Sequence, residues 1–564
     1  MRGVREMMGI RRWAVLIIFL LGLLFFRGLA RAMTEEEEIR QLKAQVQMLL
    51  KRIEELERRQ AQRERALKER SSEHWRAYWK NGFRIEYQNP ERHQEYRFRF
   101  RTGIQLRYTY LSRDEDFSGG NENYSSFNMR RLRFFVDGTA PNRDWKYYVH
   151  VQLEPKSKVN VHDAWVIWGK FAPFFRIQFG RMKIPAMSVE YWQSGFKQNG
   201  TDRTIFTDDS ENYWPYSAIK TYTDINNPSK TGKPYLRTGG QLLANGFPRG
   251  GLLLYRSQGI SVNGALDLFG KKQFLAYWFG WYNGRDTQGY RHTRSDDHLY
   301  SFRLAFNLLP GSDPRGPLAP GTFNNYTLQG DYGYNTRPAL ALIFSGFWAK
   351  DRPRKYLYLW GNGHELSYKL AGGTHDVENY GFDVALLFRY KGFSADVEGA
   401  WEEFIQDPDK GDRYVAGNYA STLQADEETW DRWGFRLNLG YFLIPRKWEV
   451  TFKYAYLERI TDDKLEDAAK CGLGILETDD GKYALEDYLQ QFVLGINYYF
   501  QGFNQYLTAD ISYLRIDTEK PGLGDIQRLN RELFGSSTRG LPLDRWSDRT
   551  EEDWRFRVMY QYWF

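Results

Sequence analysis

The chain has 564 residues, a formal net charge of +8, a mean hydropathy of −0.66 and an aromatic content of 17%. A soluble chain of this length normally folds as several domains with separate cores, and this remains an alternative. Low hydropathy combined with many aromatic side chains is better suited to a transmembrane β-barrel. Its strands alternate apolar and polar residues, and aromatic residues mark both membrane interfaces.

The amino terminus has the three parts of a secretory signal peptide. Basic residues precede an apolar run from Trp13 to Phe26, and a small-x-small cleavage pattern ends at Ala32. The run is short for the ~20 residues of a spanning helix, so we predict a cleaved signal at 1–32, with an uncleaved anchor as the alternative. The segment carries six Arg and one acidic residue, so its removal lowers the net charge to about +3. This small charge argues against a nucleic-acid partner.

Residues 33–70 predict a helical coiled coil, placed in the periplasm. Apolar residues recur every seven positions, at Ile39, Val46 and Ile53 and at Leu42, Leu49 and Leu56. A single amphipathic helix lying on the barrel is the alternative. Residues 71–95 are predicted to be a linker.

The stretch from Tyr96 to Tyr110 predicts the first wall of the barrel. Its even positions are mainly apolar or aromatic, whereas its odd positions include Arg97, Arg99, Arg101 and Arg107. Strict alternation indicates a β-strand, because successive side chains point to opposite faces. Its length fits a membrane strand, which needs ~9–11 tilted residues. We predict a lipid-facing apolar side and a lumenal row of arginines.

Fifteen further alternating segments bring the predicted total to sixteen antiparallel strands, an even number as bacterial barrels require. Short turns such as Lys391–Gly392 alternate with long polar connections. Two stretches break this rhythm: 310–337 is too long for a turn, and 259–270 could be either strand or turn. The further segments lie near 131–138, 145–154, 161–169, 174–181, 250–258, 271–283, 298–309, 338–350, 379–390, 393–404, 430–443, 446–460, 488–500, 505–516 and 553–564.

The last strand alternates aromatic residues and ends on Tyr562 and Phe564. An aromatic-ended final strand resembles the signal that the outer-membrane assembly machinery recognises. We therefore predict an assembly signal there and an outer-membrane location in a Gram-negative-type bacterium, with the barrel spanning 96–564.

Four sequence blocks carry a more specific pattern: RRLRFFVDG at 130–138, DWKYYVHVQLE at 144–154, HDAWVIW at 162–168 and FRIQFGRMKIP at 175–185. Together they resemble the phosphate-selective porin O and P family. The matching residues are Arg130, Arg131, Arg133, Gly138, Asp144, Trp145, Asp163, Ala164, Trp165, Gly180, Lys183 and Pro185.

The resemblance implies a trimeric sixteen-stranded porin whose third outer loop folds into the pore. That loop corresponds to about 182–249, and the residues expected at the constriction are Arg181, Lys183, Lys197 and Arg203. The loop also contains several acidic residues, and Ala186 stands where the family has an aromatic residue. These departures concern phosphate specificity rather than porin identity.

The predicted function is passive diffusion of small anions, with no cofactor, metal site or catalytic residues. Arginine guanidinium groups can replace part of an anion's hydration shell while repelling cations. Pairing of these arginines with lumenal acids such as Asp137, Glu154 and Asp163 is the alternative for each residue. The predicted anion path comprises Arg97, Arg99, Arg101, Arg107, Arg131, Arg133 and Arg176.

Three other functions remain open. The protein could be a tether in which the coiled coil contacts the cell wall, or a general or sugar porin that uses lumenal aromatic residues. An outer-membrane hydrolase is the least favoured, because no recognisable catalytic motif is present. The predicted partners are outer-membrane lipid and lipopolysaccharide, two further copies of the chain, and small anionic solutes.

Overall fold

The structure is a computed structural model of the chain. It describes residues 35–71, 74–89, 93–112, 123–153, 159–186, 188–207, 256–283, 298–312, 328–351, 357–358, 367–370, 375–408, 413–416, 419–424, 428–458, 475–477, 483–520, 527, 548 and 550–564. The predicted signal peptide at 1–32 lies outside these residues, as do Glu154 and most of the long loop that follows β7.

The chain forms two compact units. One contains helix α1 (Glu35–Ser71), which confirms the predicted helix. Its apolar heptad residues are exposed, including Leu42 and Leu49, so pairing with another helix stays a prediction. Within the described ranges, no helix is both long and apolar enough to cross a membrane.

The second unit consists mainly of strands. In chain order the strands are β1 (His74–Trp79), β2 (Phe83–Asn89), β3 (Gln94–Ser112), β4 (Asn123–Thr139), β5 (Trp145–Gln152), β6 (Asn160–Phe171), β7 (Phe175–Lys183), β8 (Arg256–Leu268), β9 (Lys271–Tyr282), β10 (Leu299–Pro310), β11 (Ala339–Asp351), β12 (Leu357–Tyr358), β13 (Ser367–Leu370), β14 (His375–Tyr390), β15 (Phe393–Pro408), β16 (Arg413–Ala416), β17 (Tyr419–Gln424), β18 (Glu428–Ile444), β19 (Trp448–Glu458), β20 (Ile475–Glu477), β21 (Tyr483–Tyr499), β22 (Gln505–Glu519) and β23 (Thr550–Trp563).

Sixteen of these strands close into an antiparallel barrel, which confirms the predicted fold class. The ring runs through β3–β11, β14, β15, β18, β19 and β21–β23. It closes where β23 pairs with β3, with Trp554 opposite Ser112 and Trp563 opposite Gly103. Strands β12, β13, β16 and β17 form a separate small sheet.

The register of β3 agrees with the predicted alternation. Gln105 and Arg107 are buried in the interior, whereas Leu106 and Tyr110 are 51% and 42% exposed on the outer surface. A barrel of this size in a membrane places such outer apolar residues against lipid. The arginine row of β3 therefore points inward.

Most connections at the end of the barrel where β3 begins and β23 ends are short; we call this the short-turn end. Three stretches differ from the sequence prediction. Strand β8 covers most of 259–270, and residues 250–255 of the predicted strand 250–258 lie outside the described residues. The predicted linker 71–95 contains β1 and β2, and the 310–337 connection contains a described segment that enters the barrel.

Two glycines near the short-turn end allow tyrosines to cross over them. Gly138 lies opposite Tyr147, whose hydroxyl donates to the carbonyl of Arg97 at 2.9 Å. Gly264 lies opposite Tyr277, whose hydroxyl donates to the carbonyl of Phe174 at 2.8 Å. A Cβ atom at either glycine would lie 1.8 Å from that same carbonyl oxygen. Tyr147 thus joins β5 to β3 across β4, and Tyr277 joins β9 to the turn before β7 across β8.

We expect Gly138→Ala to destabilise the barrel by about 1–3 kcal/mol, the usual cost of forced overpacking. Gly399→Ala is the matched control, because a Cβ atom there meets its nearest neighbour at 3.8 Å. The measurement is the temperature at which the folded barrel changes to the unfolded mobility on a gel. Equal midpoints for the two variants would contradict this role of Gly138.

Candidate functional site: a loop inside the barrel

The chain enters the barrel interior after β7, in a segment that we call the inner loop (184–207). It contains one helical turn, α2 (Val189–Trp192). Ser188 Oγ accepts a hydrogen bond from the backbone nitrogen of Tyr191 at 3.0 Å and contacts the Thr207 hydroxyl at 2.8 Å. The beginning and the end of the inner loop are therefore held together.

Glu190 provides a second link within the inner loop. Its Oε2 accepts hydrogen bonds from the hydroxyls of Thr204 at 2.8 Å and Thr207 at 2.7 Å. Burial alone would raise the pKa of Glu190, but the charges of Arg436 and Lys453, together with these hydroxyls, lower it. The carboxylate thus stays charged where it holds both parts of the loop.

The inner loop crosses the interior and is hydrogen-bonded to several strands. Its Phe196 ring also approaches Gly103 of β3, where a Cβ atom would lie 2.6 Å from the ring. Only glycine leaves room for this approach, so the loop is seated against β3. The strand residues that bond the loop include Gln105 of β3, Glu398 of β15, Gln491 of β21, Asp510 of β22 and Gln561 of β23.

Asp202 of the inner loop binds three arginines. Its carboxylate contacts Arg107 at 2.9 Å, Arg130 at 2.7 Å and Arg131 at 3.2 Å. Burial would raise the pKa of Asp202, but these guanidinium groups outweigh it and hold the pKa well below the usual value. Arg107 and Arg131, predicted on the anion path, are buried in this cluster.

A second basic cluster surrounds the ring of Tyr191. Lys183 Nζ and the guanidinium carbon of Arg203 both lie 4.7 Å from the ring centroid, and that of Arg256 lies 5.4 Å away. Lys183 Nζ also donates to the carbonyl oxygen of Tyr191 at 2.7 Å. Lys183 is the last residue of β7 rather than a loop residue, but its ammonium group fixes the inner loop.

Asp163 is the acidic neighbour of that cluster. It contacts Arg256 Nε at 2.9 Å and His150 Nδ1 at 2.8 Å. Arg256 also bonds the Tyr191 hydroxyl. Arg256 lies in the predicted alternating segment near 250–258, but the sequence analysis gave it no functional role.

The rest of the predicted arginine row lies between the inner loop and the short-turn end, and these arginines pair with two acids, Asp137 and Glu95. Arg99 and Arg101 both bind Asp137, at 2.6 and 2.8 Å. Arg97 binds Glu95 at 2.8 Å and remains 42% exposed. Pairing with Asp137, considered for these arginines from the sequence, therefore occurs, yet one carboxylate serves two guanidinium groups.

The other predicted basic residues are spread over the same side of the barrel. Arg176 donates to Asn263 at 3.0 Å. Arg181 is buried in β7 rather than in the loop, and Arg133 is half-buried in β4. Lys197 is half-buried in the inner loop. Whether ions pass these residues stays a prediction.

The segment 328–338 also enters the barrel, from the short-turn end. The backbone nitrogen of Gln329 donates to the Lys197 carbonyl at 2.9 Å, and its side chain bonds Glu190 at 3.3 Å. Asp331 accepts a hydrogen bond from the Gly392 nitrogen at 2.9 Å. This segment thus supports the inner loop from the short-turn end. In the sequence, its only signal was that the 310–337 connection is too long for a turn.

The two sides of the barrel differ in charge. We call β3–β8 the basic wall: its described residues include thirteen Lys and Arg and four Asp and Glu. We call β14, β15, β18, β19 and β21–β23 the acidic wall: its described residues include seven Lys and Arg and twenty Asp and Glu. Inside the acidic wall, arginines are matched by acids, in the pairs Arg389–Asp396, Arg432–Glu402, Arg436–Glu398 and Arg557–Asp510.

Comparison with known protein families matches the region that contains the inner loop and most of the basic wall. The model of the phosphate-selective porin O and P family matches residues 98–231. The predicted resemblance to these porins is thereby confirmed. The match contains all four sequence blocks at 130–185, and the strands that it covers belong to the closed sixteen-strand antiparallel barrel.

Solved porin structures are similar at low identity. The anion-selective porin from Comamonas acidovorans is 10% identical, with a TM-score of 0.42, covering 83% of this chain and 100% of that one. OmpT of Vibrio cholerae is 10% identical, with a TM-score of 0.38, covering 83% and 98%. OmpF of Salmonella typhi, in complex with daunomycin, is 11% identical, with a TM-score of 0.38, covering 86% and 100%. No curated protein matches the chain.

Proposed function

We propose that this porin is a passive channel that favours small anions, phosphate among them, and that it works as a homotrimer in the outer membrane. The observation that carries the proposal is the composition of the basic wall, whose described strands contain thirteen Lys and Arg but only four Asp and Glu. The inner loop is joined to this wall through Asp202, which binds Arg107, Arg130 and Arg131, so a solute that passes on this side of the loop meets mainly cationic side chains.

The chemistry of the wall suits anions with several oxygen atoms. A guanidinium group offers a planar set of donors that matches phosphate or carboxylate oxygens. Arg99 and Arg101 share Asp137, so part of their donor capacity remains for a passing anion. An anion that loses hydration at the loop regains contacts from the wall, whereas a cation is repelled.

Aromatic residues on the lumenal side support a second candidate, a porin for sugars or for solutes in general. Tyr148 stacks on Trp165 with ring centroids 5.0 Å apart, and Trp563 stacks on Phe135 at 4.8 Å. Flat aromatic surfaces of this kind suit sugar rings. A tether function of α1 remains compatible with a channel formed by the strands.

The deciding experiment is single-channel recording in a planar bilayer under a KCl gradient, followed by added phosphate. We expect a reversal potential toward that of chloride and a block of the current by phosphate. Anion preference without block would leave a general anion porin, and block by maltose but not by phosphate would favour the sugar porin. A cation-selective pore would overturn the proposal, and a lack of conductance would favour the tether.

A further inference from the structure

The hairpin formed by β1 and β2 precedes the barrel and takes no part in the proposed permeation path. Its turn lies against β3: a Cβ atom at Gly82 would lie 2.4 Å from the carbonyl oxygen of Phe100 and from Cγ of Arg101. Arg84 Nε closes the turn by donating to the Lys80 carbonyl at 2.7 Å. The hairpin therefore has a fixed position beside the barrel seam.

One face of the hairpin is aromatic and exposed. Trp75 and Trp79 are 68% and 61% exposed, although they are the largest apolar side chains of β1. Trp75 packs on Tyr87 with ring centroids 5.0 Å apart, and Tyr87 packs on Tyr96 of β3 at 5.9 Å. Trp79 stacks on Phe564 at 6.4 Å.

This aromatic face continues the outer surface of the barrel. Tyr96 has the same register in β3 as Phe98 and Phe100, on the side that faces away from the lumen. The ring of Phe564 also contacts Tyr562 at 5.6 Å, and Tyr562 is exposed on the outer side of β23. Both aromatic chains thus lead from the lipid-facing band onto the hairpin.

The opposite face of the hairpin is charged. Arg84 and Glu86 form an ion pair of 3.7 Å, and Arg76, between the two tryptophans, is exposed. A strand alternates its side chains between two faces. The hairpin is therefore amphipathic, with Trp75 and Trp79 on the side of the membrane.

We propose that the β1–β2 hairpin is a membrane-interface anchor whose aromatic face binds the lipid headgroup region at the short-turn end. Tryptophan and tyrosine are enriched at this depth, because their rings are apolar while their N–H and O–H groups stay hydrated. Lipid is the occupant favoured over a second copy of the chain, since the face is continuous with the lipid-facing band. The anchor would hold the start of the barrel at the membrane surface.

The test uses single cysteines in full-length protein carrying Cys471→Ser, which removes the lone native cysteine. Trp75→Cys, Trp79→Cys and, as the matched control on the opposite face, Arg76→Cys are labelled with an environment-sensitive fluorophore and folded into liposomes. We expect brominated phospholipids to quench the labels at 75 and 79 several-fold more than the label at 76. Iodide in the water should show the reverse order.

Two outcomes would overturn the proposal. Equal quenching by lipid at all three positions would mean that the aromatic face has no special contact with the membrane. Protection of 75 and 79 from iodide without quenching by lipid would mean that protein covers this face. If the label at 79 disturbs the stacking on Phe564, the label at 75 decides alone, because Trp75 has its ring contact with Tyr87 of the hairpin.

Discussion

Asp202→Asn is expected to release the inner loop from the basic wall and to change both the stability and the conductance of the porin. Three guanidinium groups share this carboxylate, at 2.7–3.2 Å. Removing one partner of a buried ion pair typically costs ~3–5 kcal/mol, because the remaining charge stays buried without compensation. In this variant three guanidinium groups would remain buried without their carboxylate, and they would repel one another.

The expected readouts are a lower unfolding temperature, a larger or noisier single-channel current and a stronger anion preference. Asp331→Asn is the matched control, since it removes the same charge from the interior but from a carboxylate bonded to backbone amides and Asn335. Wild-type stability and current in the Asp202 variant, or the same change in both variants, would contradict the role of the arginine cluster.

The pH dependence of this contact follows from the direction of the pKa shift. The pKa of Asp202 in the folded protein lies below its ordinary value. The stability that this carboxylate contributes is therefore complete above the ordinary pKa and is lost only as the pH falls through the lower, folded-state value. Titration of Asp202 should cause no change in current between pH 7 and pH 5.

Replacing Arg99 and Arg101 together by Glu is expected to give the largest change in selectivity. The change amounts to four units of charge, and Asp137 would then be one of three neighbouring carboxylates. In water a unit charge about 10 Å from a monovalent ion changes the electrostatic energy of that ion by ~0.4 kcal/mol. Four units therefore disfavour an anion by ~1.6 kcal/mol and favour a cation by as much, so the anion-to-cation permeability ratio should fall by tenfold or more, because ~1.4 kcal/mol is a factor of ten.

The measurement is the reversal potential under a KCl gradient. Lys271→Glu with Lys272→Glu makes the same charge change at exposed positions at the start of β9. This control should leave the reversal potential near the wild-type value. An unchanged potential in the arginine variant would show that the row is a structural part of the wall and not part of the ion path.

The barrel could be predicted from the sequence because the pattern that specifies each strand lies within a short stretch of residues. Alternation with period two assigns both the strand and its inward face, so the inward direction of Arg107 followed from its position among Leu106 and Tyr108. The same alternation predicted sixteen strands and the row on β3. Pairing of Arg99 with Asp137 was among the alternatives, since the two residues lie on neighbouring strands.

The interior of the barrel could not be predicted in the same way. Asp202 reaches Arg107 across a loop without periodic structure, and Gln329 reaches Glu190 from a connection that the strand count left unassigned. The hairpin was missed because β1 and β2 are only six and seven residues long. Contacts of this kind depend on how loops fold back, which no short-range pattern specifies.

The separation of charge between the two walls has a consequence for the surroundings in which the porin works. Electrostatic influence in the pore extends over a screening length of ~8 Å at physiological ionic strength, ~30 Å at 0.01 M and ~3 Å at 1 M. In dilute medium the fields of both walls reach across the lumen and partly cancel, because an excess of basic residues on one wall faces an excess of acidic residues on the other. In brine each wall acts only on the ions that touch it, so ions that pass along the two walls meet opposite charges.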